Sequence, residues 1–186
     1  MRRTNVTRFT SLRSQKGAFA IELGFVLIGL CAIYLFATDL SHKLLVRAKL
    51  DRSSFALVNV IKERSRYFEA DIAGRTNLQV SQQDLADLTA VASRMLDSSV
   101  ENVALQIESY VIGESVVTHR SPKFSSLGCR TDSLSNYQAL VPIEKGLSYP
   151  IYRVTLCEEH HSWFEAFSSG EDADIRLTSS SIMPGR

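Results

Sequence analysis

The sequence predicts an α+β protein in which one long N-terminal helix packs on a small domain with a second helix and an antiparallel sheet. Three patterns support this prediction. Residues 18–38 form an apolar run that continues without a break into a helical pattern. Residues 85–96 repeat apolar side chains at helical spacing, and segments after residue 103 alternate apolar and polar side chains as strands do.

The apolar run is long enough to cross a membrane. Its 21 residues, 18–38, contain a single charged side chain, that of Glu22. At 1.5 Å per residue a helix of this length spans about 32 Å, which matches the roughly 30 Å hydrocarbon core of a bilayer. A carboxylate at the centre of the span would cost about 2.5–3.5 kcal/mol. We therefore expect Glu22 either to lie near the water boundary or to have a partner.

Basic residues flank the run on its N-terminal side only. Residues 1–17 hold five basic side chains and no acidic one, whereas both signs of charge are mixed beyond Asp39. Because basic flanks of a membrane span stay in the cytoplasm, this asymmetry predicts a cytoplasmic N-terminus. The chain after about residue 40 is then expected across the membrane.

Three kinds of N-terminal processing compete for this segment. A signal peptide removed after the run needs a short apolar core and small residues at the cut, and residues 36–39 offer no such site. A lipoprotein signal needs a small residue before its cysteine, whereas Leu30 precedes Cys31. The third interpretation, which we favour, cuts between Gly17 and Ala18 and leaves the apolar helix on the mature protein.

The helical pattern continues beyond residue 38. No proline or glycine interrupts residues 31–73, and charged residues share this stretch with apolar ones, so an amphipathic extension is expected over 39–73. A helix over about 18–71, with Gly74 as its stop, would be roughly 80 Å long. The alternative is an anchor whose helix ends soon after Asp39. The predicted apolar face of the extension consists of Leu40, Leu44, Ala48, Leu50, Leu57, Ile61 and Phe68.

Residues 74–186 are predicted to form one small domain. Its helix begins at a capping pattern, Ser81 to Asp84, and runs to about Asp97. The strands are expected at 103–109 and 116–118, as a hairpin, and then at 139–143, 149–157 and 174–183, with a loop at 121–136.

Two of the three cysteines, Cys129 and Cys157, lie beyond the apolar run, in a compartment that permits disulfides. A bond between them would close a loop of 27 intervening residues. In the chain-entropy model it would stabilise the fold by roughly 3.5 kcal/mol. Two free thiols are the alternative. Cys31 lies within the run and is interpreted as a small core or lipid-facing residue.

Composition and motifs argue against several other classes of function. Residues 18–186 hold 16 basic and 20 acidic side chains, a net charge of −4, which disfavours nucleic-acid binding. No phosphate-binding loop, nucleophile elbow or zinc motif occurs. The acids and histidines within 157–161 are interpreted as a solvated turn, with a metal site as the alternative, and His42 and His119 are interpreted as isolated surface residues. We predict no catalytic residue, no metal and no cofactor.

An aromatic cluster near the C-terminal end has two interpretations. It consists of Trp163, Phe164 and Phe167. Packing within the core or a loop is favoured, and a contact surface between subunits is the alternative.

The N-terminal segment resembles the leader of a type IV prepilin. The residues that carry the likeness are the short basic leader, Gly17, Glu22 at the fifth position after the expected cut, and the uninterrupted apolar helix. Within that group the segment from Gly17 to Leu23 resembles the pseudopilins of tight-adherence (Tad) pili, of the TadE and TadF type. The length of the chain and its cysteine-bearing C-terminal β region resemble TadF.

This resemblance implies a minor pseudopilin of a tight-adherence, type IVc, pilus and secretion system. A prepilin peptidase would cut after Gly17, and the freed, largely protonated amine of Ala18 would pair with Glu22 in the same or a neighbouring subunit. The implied partners are the bacterial inner membrane, a TadE-like pseudopilin, the major Flp-type pilin and the pilus assembly platform. Surface adhesion and biofilm formation would be downstream consequences.

The resemblance also implies a division of the chain. Residues 1–17 would be a cytoplasmic leader, 18–38 the membrane-spanning half of the helix, 39–73 its amphipathic extension and 74–186 a globular, pilin-like domain in the periplasm or at the cell surface. The alternative hypothesis is an uncleaved, signal-anchored periplasmic module, such as an assembly factor or a sensor, that never enters a fibre.

Overall fold

The structure is a computed structural model that describes residues 15–67, 79–144, 146–169 and 174–185. These residues form an α+β protein, and the predicted fold class is confirmed. The helices are α1 (Gln15–Tyr67), α2 (Gln82–Leu96), α3 (Pro122–Leu127) and α4 (Trp163–Ser169), and short 3₁₀ segments lie at Val100–Asn102 and Leu134–Leu140. The strands are β1 (Ala104–Tyr110), β2 (Val117–Arg120), β3 (Ile143–Glu144), β4 (Leu147–Ser148), β5 (Ile151–His161) and β6 (Asp174–Pro184).

Helix α1 is the longest element of the described chain. Its 53 residues correspond to a length of about 80 Å. The N-terminal half extends away from the domain, and large apolar side chains such as Phe25 and Ile28 are 72% and 62% exposed. Among the described residues, α1 is the one helix long and apolar enough to cross a membrane by length and composition. The last predicted residues of this helix, 68–73, and the stop at Gly74 lie outside the described residues.

Helix α2 begins at the predicted capping box. The Ser81 hydroxyl oxygen accepts from the Asp84 N–H at 3.2 Å, and the Ser81 N–H donates to the Asp84 carboxylate at 2.7 Å. The helix ends before Asp97, whose φ of 54° lies in the left-handed region. Its buried apolar residues are Leu85, Leu88 and Ala92. They join α2 to the core that α1 and the sheet share.

The described strands form a four-stranded antiparallel sheet in the order β2-β1-β5-β6 and a separate short hairpin of β3 and β4. The predicted hairpin of β1 and β2 is present. Strand β5 lies inside the sheet, with Val154 opposite Ile107 on one side and opposite Ser181 on the other. Because side chains alternate along a strand, Ile107 and Val154 point towards α1, whereas Arg153 and Cys157 point to the opposite face.

The segment between β2 and β3 covers that opposite face and is more helical than predicted. The loop expected at 121–136 contains α3, which starts at a Ser121 cap followed by Pro122 and ends at Gly128 with φ 63°. The prediction of a strand at 139–143 is wrong, because the 3₁₀ segment continues to Leu140 and, among the described strands, β3 pairs with β4 alone. Helix α3 and this 3₁₀ segment are both too short to show a periodic apolar pattern in the sequence.

The apolar face predicted for the extension of α1 is partly wrong. Leu50, Leu57 and Ile61 are buried, Leu40, Leu44 and Ala48 are exposed, and Phe68 lies outside the described residues. The packed face instead includes polar residues such as Ser54, whose hydroxyl oxygen lies 3.1 Å from that of Ser179 and 2.9 Å from that of Ser181 on β6. These hydroxyls can be buried because they are hydrogen-bonded to one another. A prediction based on the spacing of apolar residues does not identify such buried serines.

Candidate functional site

The predicted cleavage site and the predicted acid lie at the start of α1. Gly17 and Ala18 belong to its helical backbone, close to the first described residue. Glu22 follows one turn later, and its side chain is exposed beside the exposed apolar residues Ile21 and Leu23. Residues four apart on a helix lie roughly 6 Å from one another. The backbone therefore allows an amine at Ala18 to meet the Glu22 carboxylate, while cleavage itself stays a prediction.

Asp39, the first charged residue after the apolar run, is buried where α1 meets the end of β5. The ring Nε2–H of His160 donates to one carboxylate oxygen at 3.2 Å, and the hydroxyl of Ser162 donates to the other at 2.8 Å. Asp39, His160 and Ser162 are 6%, 7% and 2% exposed. We call these three residues the Asp39 junction. It fixes the domain to α1 directly beyond the predicted membrane span.

The surroundings of Asp39 keep its carboxyl ionised. Burial raises the pKa of this group, but hydrogen bonds from Ser162 and His160 and the positive charge of Lys43 outweigh burial. The net effect lowers the pKa below its ordinary value of 3.8. A carboxylate with two hydrogen-bond donors is thus the stable state of the junction at neutral pH.

The histidines correct three predictions. Residues 157–161 are part of β5 and not a solvated turn, and the alternation of the strand directs His160 towards α1. His42 is not isolated, because its ring stacks on that of His160 with centroids 5.0 Å apart and an interplanar angle of 27°. The two Nδ1 atoms are 3.3 Å apart. His119 is also not isolated, since its Nε2 lies 3.2 Å from the Val80 carbonyl oxygen.

The Asp39 junction has the residue types of a hydrolase triad in a different arrangement. In a triad the serine hydroxyl donates to the histidine, and the histidine donates to the carboxylate. Here Ser162 and His160 both donate to Asp39, so the serine proton is directed at the acid and not at a base. No group of three metal-ligating side chains occurs within the described ranges. The geometry is that of a structural contact between a helix and a domain.

A second buried polar cluster lies on the far face of the sheet. Arg153 on β5 is 1% exposed and donates to Glu108 on β1 and to the side chain and carbonyl oxygen of Asp132. A hydrogen bond from Tyr137 is the main cause that lowers the pKa of Asp132; burial opposes it, and the charge of Arg153 adds to it. This cluster was not predicted, although an arginine between apolar residues on a strand is a usable signal.

The predicted cysteine pair lies beside this cluster. Cys129 and Cys157 form a disulfide in the structure, with their Cα atoms 6.6 Å apart, within the range for such bonds. The bond joins the covering segment to β5, where Phe124 and Leu127 pack against Ala104. Cys31 is exposed on α1.

Comparison with known proteins places these features in a family. A family model described as "Putative tight adherence pilin protein F" (TadF) matches residues 11–186, which include the apolar helix and the domain. Searches of curated proteins and of solved structures found no match. The description is that of a pilin-like structural protein of tight adherence and does not name an enzyme family. By this match over nearly its whole length, the chain belongs to the TadF family.

Proposed function

We propose that this protein is a minor pseudopilin that assembles with other subunits of a tight-adherence, type IVc, pilus. The observation that carries the proposal is the exposed apolar surface of α1, which continues past the predicted membrane span. Leu44, Leu45 and Phe55 are 59%, 69% and 55% exposed, although they follow Asp39. Apolar side chains in this density mark a contact surface. Helices of neighbouring pilin-like subunits would cover them.

The proposed topology follows from charge and length. The basic residues of 1–17 would hold the N-terminus in the cytoplasm, residues 18–38 would cross the inner membrane, and the domain would lie in the periplasm. A prepilin peptidase would remove the leader at Gly17. The exposed helix would then let the subunit join the pilus without a change in its fold.

Glu22 has a specific role in this proposal. Cleavage would create a charged amine at Ala18 near the membrane boundary, one helical turn from the Glu22 carboxylate. Each charge alone is costly in lipid, and the pair reduces the cost of both. When the amine of one subunit meets Glu22 of its neighbour, the pair also sets the axial register between the two helices.

The proposed partners are those of the pilus system. A TadE-like pseudopilin would pair with this subunit, and the two would start or anchor a fibre of the major Flp-type pilin on the assembly platform. Adhesion and biofilm formation would depend on that fibre. Membership of the TadF family supports a partner from the pilus system, and the exposed apolar surface of α1 supports contact with the helices of other subunits.

The substitution Glu22→Gln tests this mechanism. It keeps the shape of the side chain and removes its charge, so we expect normal export and cleavage but few or no pili, counted by electron microscopy. Glu101→Gln is the matched control, because Glu101 is an exposed acid on the domain far from α1's first turns. Piliation at the wild-type level with Glu22→Gln would contradict the proposed role of the acid.

An uncleaved, signal-anchored periplasmic module is the second candidate. It would share the membrane span and the domain but would keep residues 1–17. The exposed residues Leu44 and Phe55 would then contact a fixed membrane partner and not a fibre. The two candidates differ in the N-terminus of the protein isolated from cells.

A further inference from the structure

Helix α4 lies beside α1 at the outer end of the predicted membrane span. It follows His160 and Ser162, which bind Asp39, so the start of α4 is held near α1. The ring of Phe164 meets that of Phe36 edge to face, with centroids 5.3 Å apart and an interplanar angle of 73°. These contacts place α4 at the level of residues 36–43.

That level coincides with the headgroup layer of the bilayer. Residues 18–38 fill the hydrocarbon core, as their length of about 32 Å requires. The headgroup layer adds about 5–8 Å on each side, and five further helical residues span about 7.5 Å. Residues 39–43, and α4 beside them, therefore lie among lipid headgroups if residues 18–38 span the membrane.

The aromatic start of α4 matches this environment. Trp163 is 60% exposed, although it is a large aromatic residue, and it lies next to the half-buried Phe164. Tryptophan concentrates at membrane–water interfaces because its ring is apolar and its N–H needs a polar partner. Lys43 is half-buried in the groove between α1 and α4 and carries a positive charge at the level of lipid phosphates, and the acidic residues Asp39 and Glu165 line the same groove.

We propose that α4 is a second membrane contact, in which Trp163 enters the headgroup layer of the bilayer that α1 crosses. The partner is the lipid surface. The contact would hold the membrane-proximal end of the domain against the bilayer, while the Asp39 junction holds α4 against α1. This inference rests on the membrane span of the proposed function, but it does not require cleavage at Gly17 or entry into a pilus.

The sole tryptophan of the chain makes the test direct. The full chain is reconstituted in phosphatidylcholine vesicles that contain lipids brominated either near the headgroup or near the chain end, and its fluorescence is recorded. We expect the bromines near the headgroup to reduce Trp163 emission by roughly twofold and those near the chain end to have a smaller effect, because a tryptophan at the membrane–water interface lies closer to the former.

A matched control moves the tryptophan to the other end of the domain. The double variant Trp163→Phe, Ile143→Trp places the tryptophan near the start of β5, at a site where the Ile143 side chain is 67% exposed. The strand between the two ends spans about 33 Å, so bromolipids should not quench this variant.

Three results would overturn the inference in different ways. Vesicle flotation is measured first, and a chain that does not float with the vesicles would refute the membrane span itself. A chain that floats but whose Trp163 is quenched no more than the tryptophan of the control would refute the lipid contact alone. Blue-shifted emission without bromolipid quenching would also refute it, since a protein partner would then cover Trp163.

Discussion

Removal of the Asp39 carboxylate should weaken the attachment of the domain to α1. The acid accepts two hydrogen bonds, from His160 and Ser162, and all three residues are buried. Asp39→Ala deletes both acceptors and leaves the two donors without a partner in a site that water reaches poorly. Asp39→Asn keeps the size of the side chain, but it removes the charge and turns an NH₂ group towards one donor.

The magnitude follows from the two bonds. Hydrogen bonds to a charged group contribute about 1.5–3 kcal/mol each, and two bonds to one carboxylate are not independent. We therefore expect Asp39→Ala to lower the free energy of unfolding by about 3 kcal/mol and Asp39→Asn by about 2 kcal/mol. A domain of this size is stable by about 5–15 kcal/mol, so either loss is measurable.

The assay is guanidinium unfolding of the full chain in detergent micelles. Trp163 is the only tryptophan and follows Ser162 directly, so its fluorescence reports on the junction. Asp51→Ala is the matched control, because Asp51 is an exposed acid on the same helix and its loss should change stability by less than about 0.5 kcal/mol. Equal unfolding free energies for Asp39→Ala and Asp51→Ala would refute the reasoning.

Three further predictions concern stability. Because the pKa of Asp39 is lowered in the folded state, its carboxylate contributes fully to stability above pH 3.8, and this contribution is lost as the pH falls below that value. Asp39→Asn should abolish this part of the acid unfolding transition. An acid transition that is the same in wild type and variant would contradict the prediction. Reduction of the bond between Cys129 and Cys157 should lower the free energy of unfolding by about 3.5 kcal/mol in a reversible melt. Mass spectrometry without reductant should recover the linked peptides, whereas two alkylated thiols would contradict the pairing. Arg153→Ala should destabilise the fold by about 3–5 kcal/mol because the buried Glu108 loses its charged partner and keeps a neutral hydrogen bond from Thr118. A double variant with Glu108→Ala should lose less than the sum of the two single losses, and additive losses would contradict this coupling.

The sequence predicted those elements whose signals are local. A long apolar run indicates a helix such as α1, a capping box indicates the start of α2, and alternation indicates the strands β1 and β5. The short helix α3 escaped because its six residues carry caps but no periodicity. The packed face of α1 was partly missed because Ser54 is buried through hydrogen bonds to hydroxyls more than a hundred residues away.

The candidate site divides in the same way. Gly17, Ala18 and Glu22 form a motif of adjacent residues, so the sequence alone singles them out. The Asp39 junction joins residues 121 and 123 positions apart, and only the antiparallel path of β5 along α1 brings them together. No short pattern in a single sequence carries information about such a contact.

The mature N-terminus is the measurement that tests the central claim most directly. The protein is isolated from membranes of cells that carry a prepilin peptidase, and its N-terminal peptide is sequenced by mass spectrometry. The proposed pseudopilin begins at Ala18, and a Gly17→Leu variant, whose bulkier residue blocks the cut, should keep the leader. A wild-type chain that still begins at Met1 under these conditions would contradict the pseudopilin and support the uncleaved anchor.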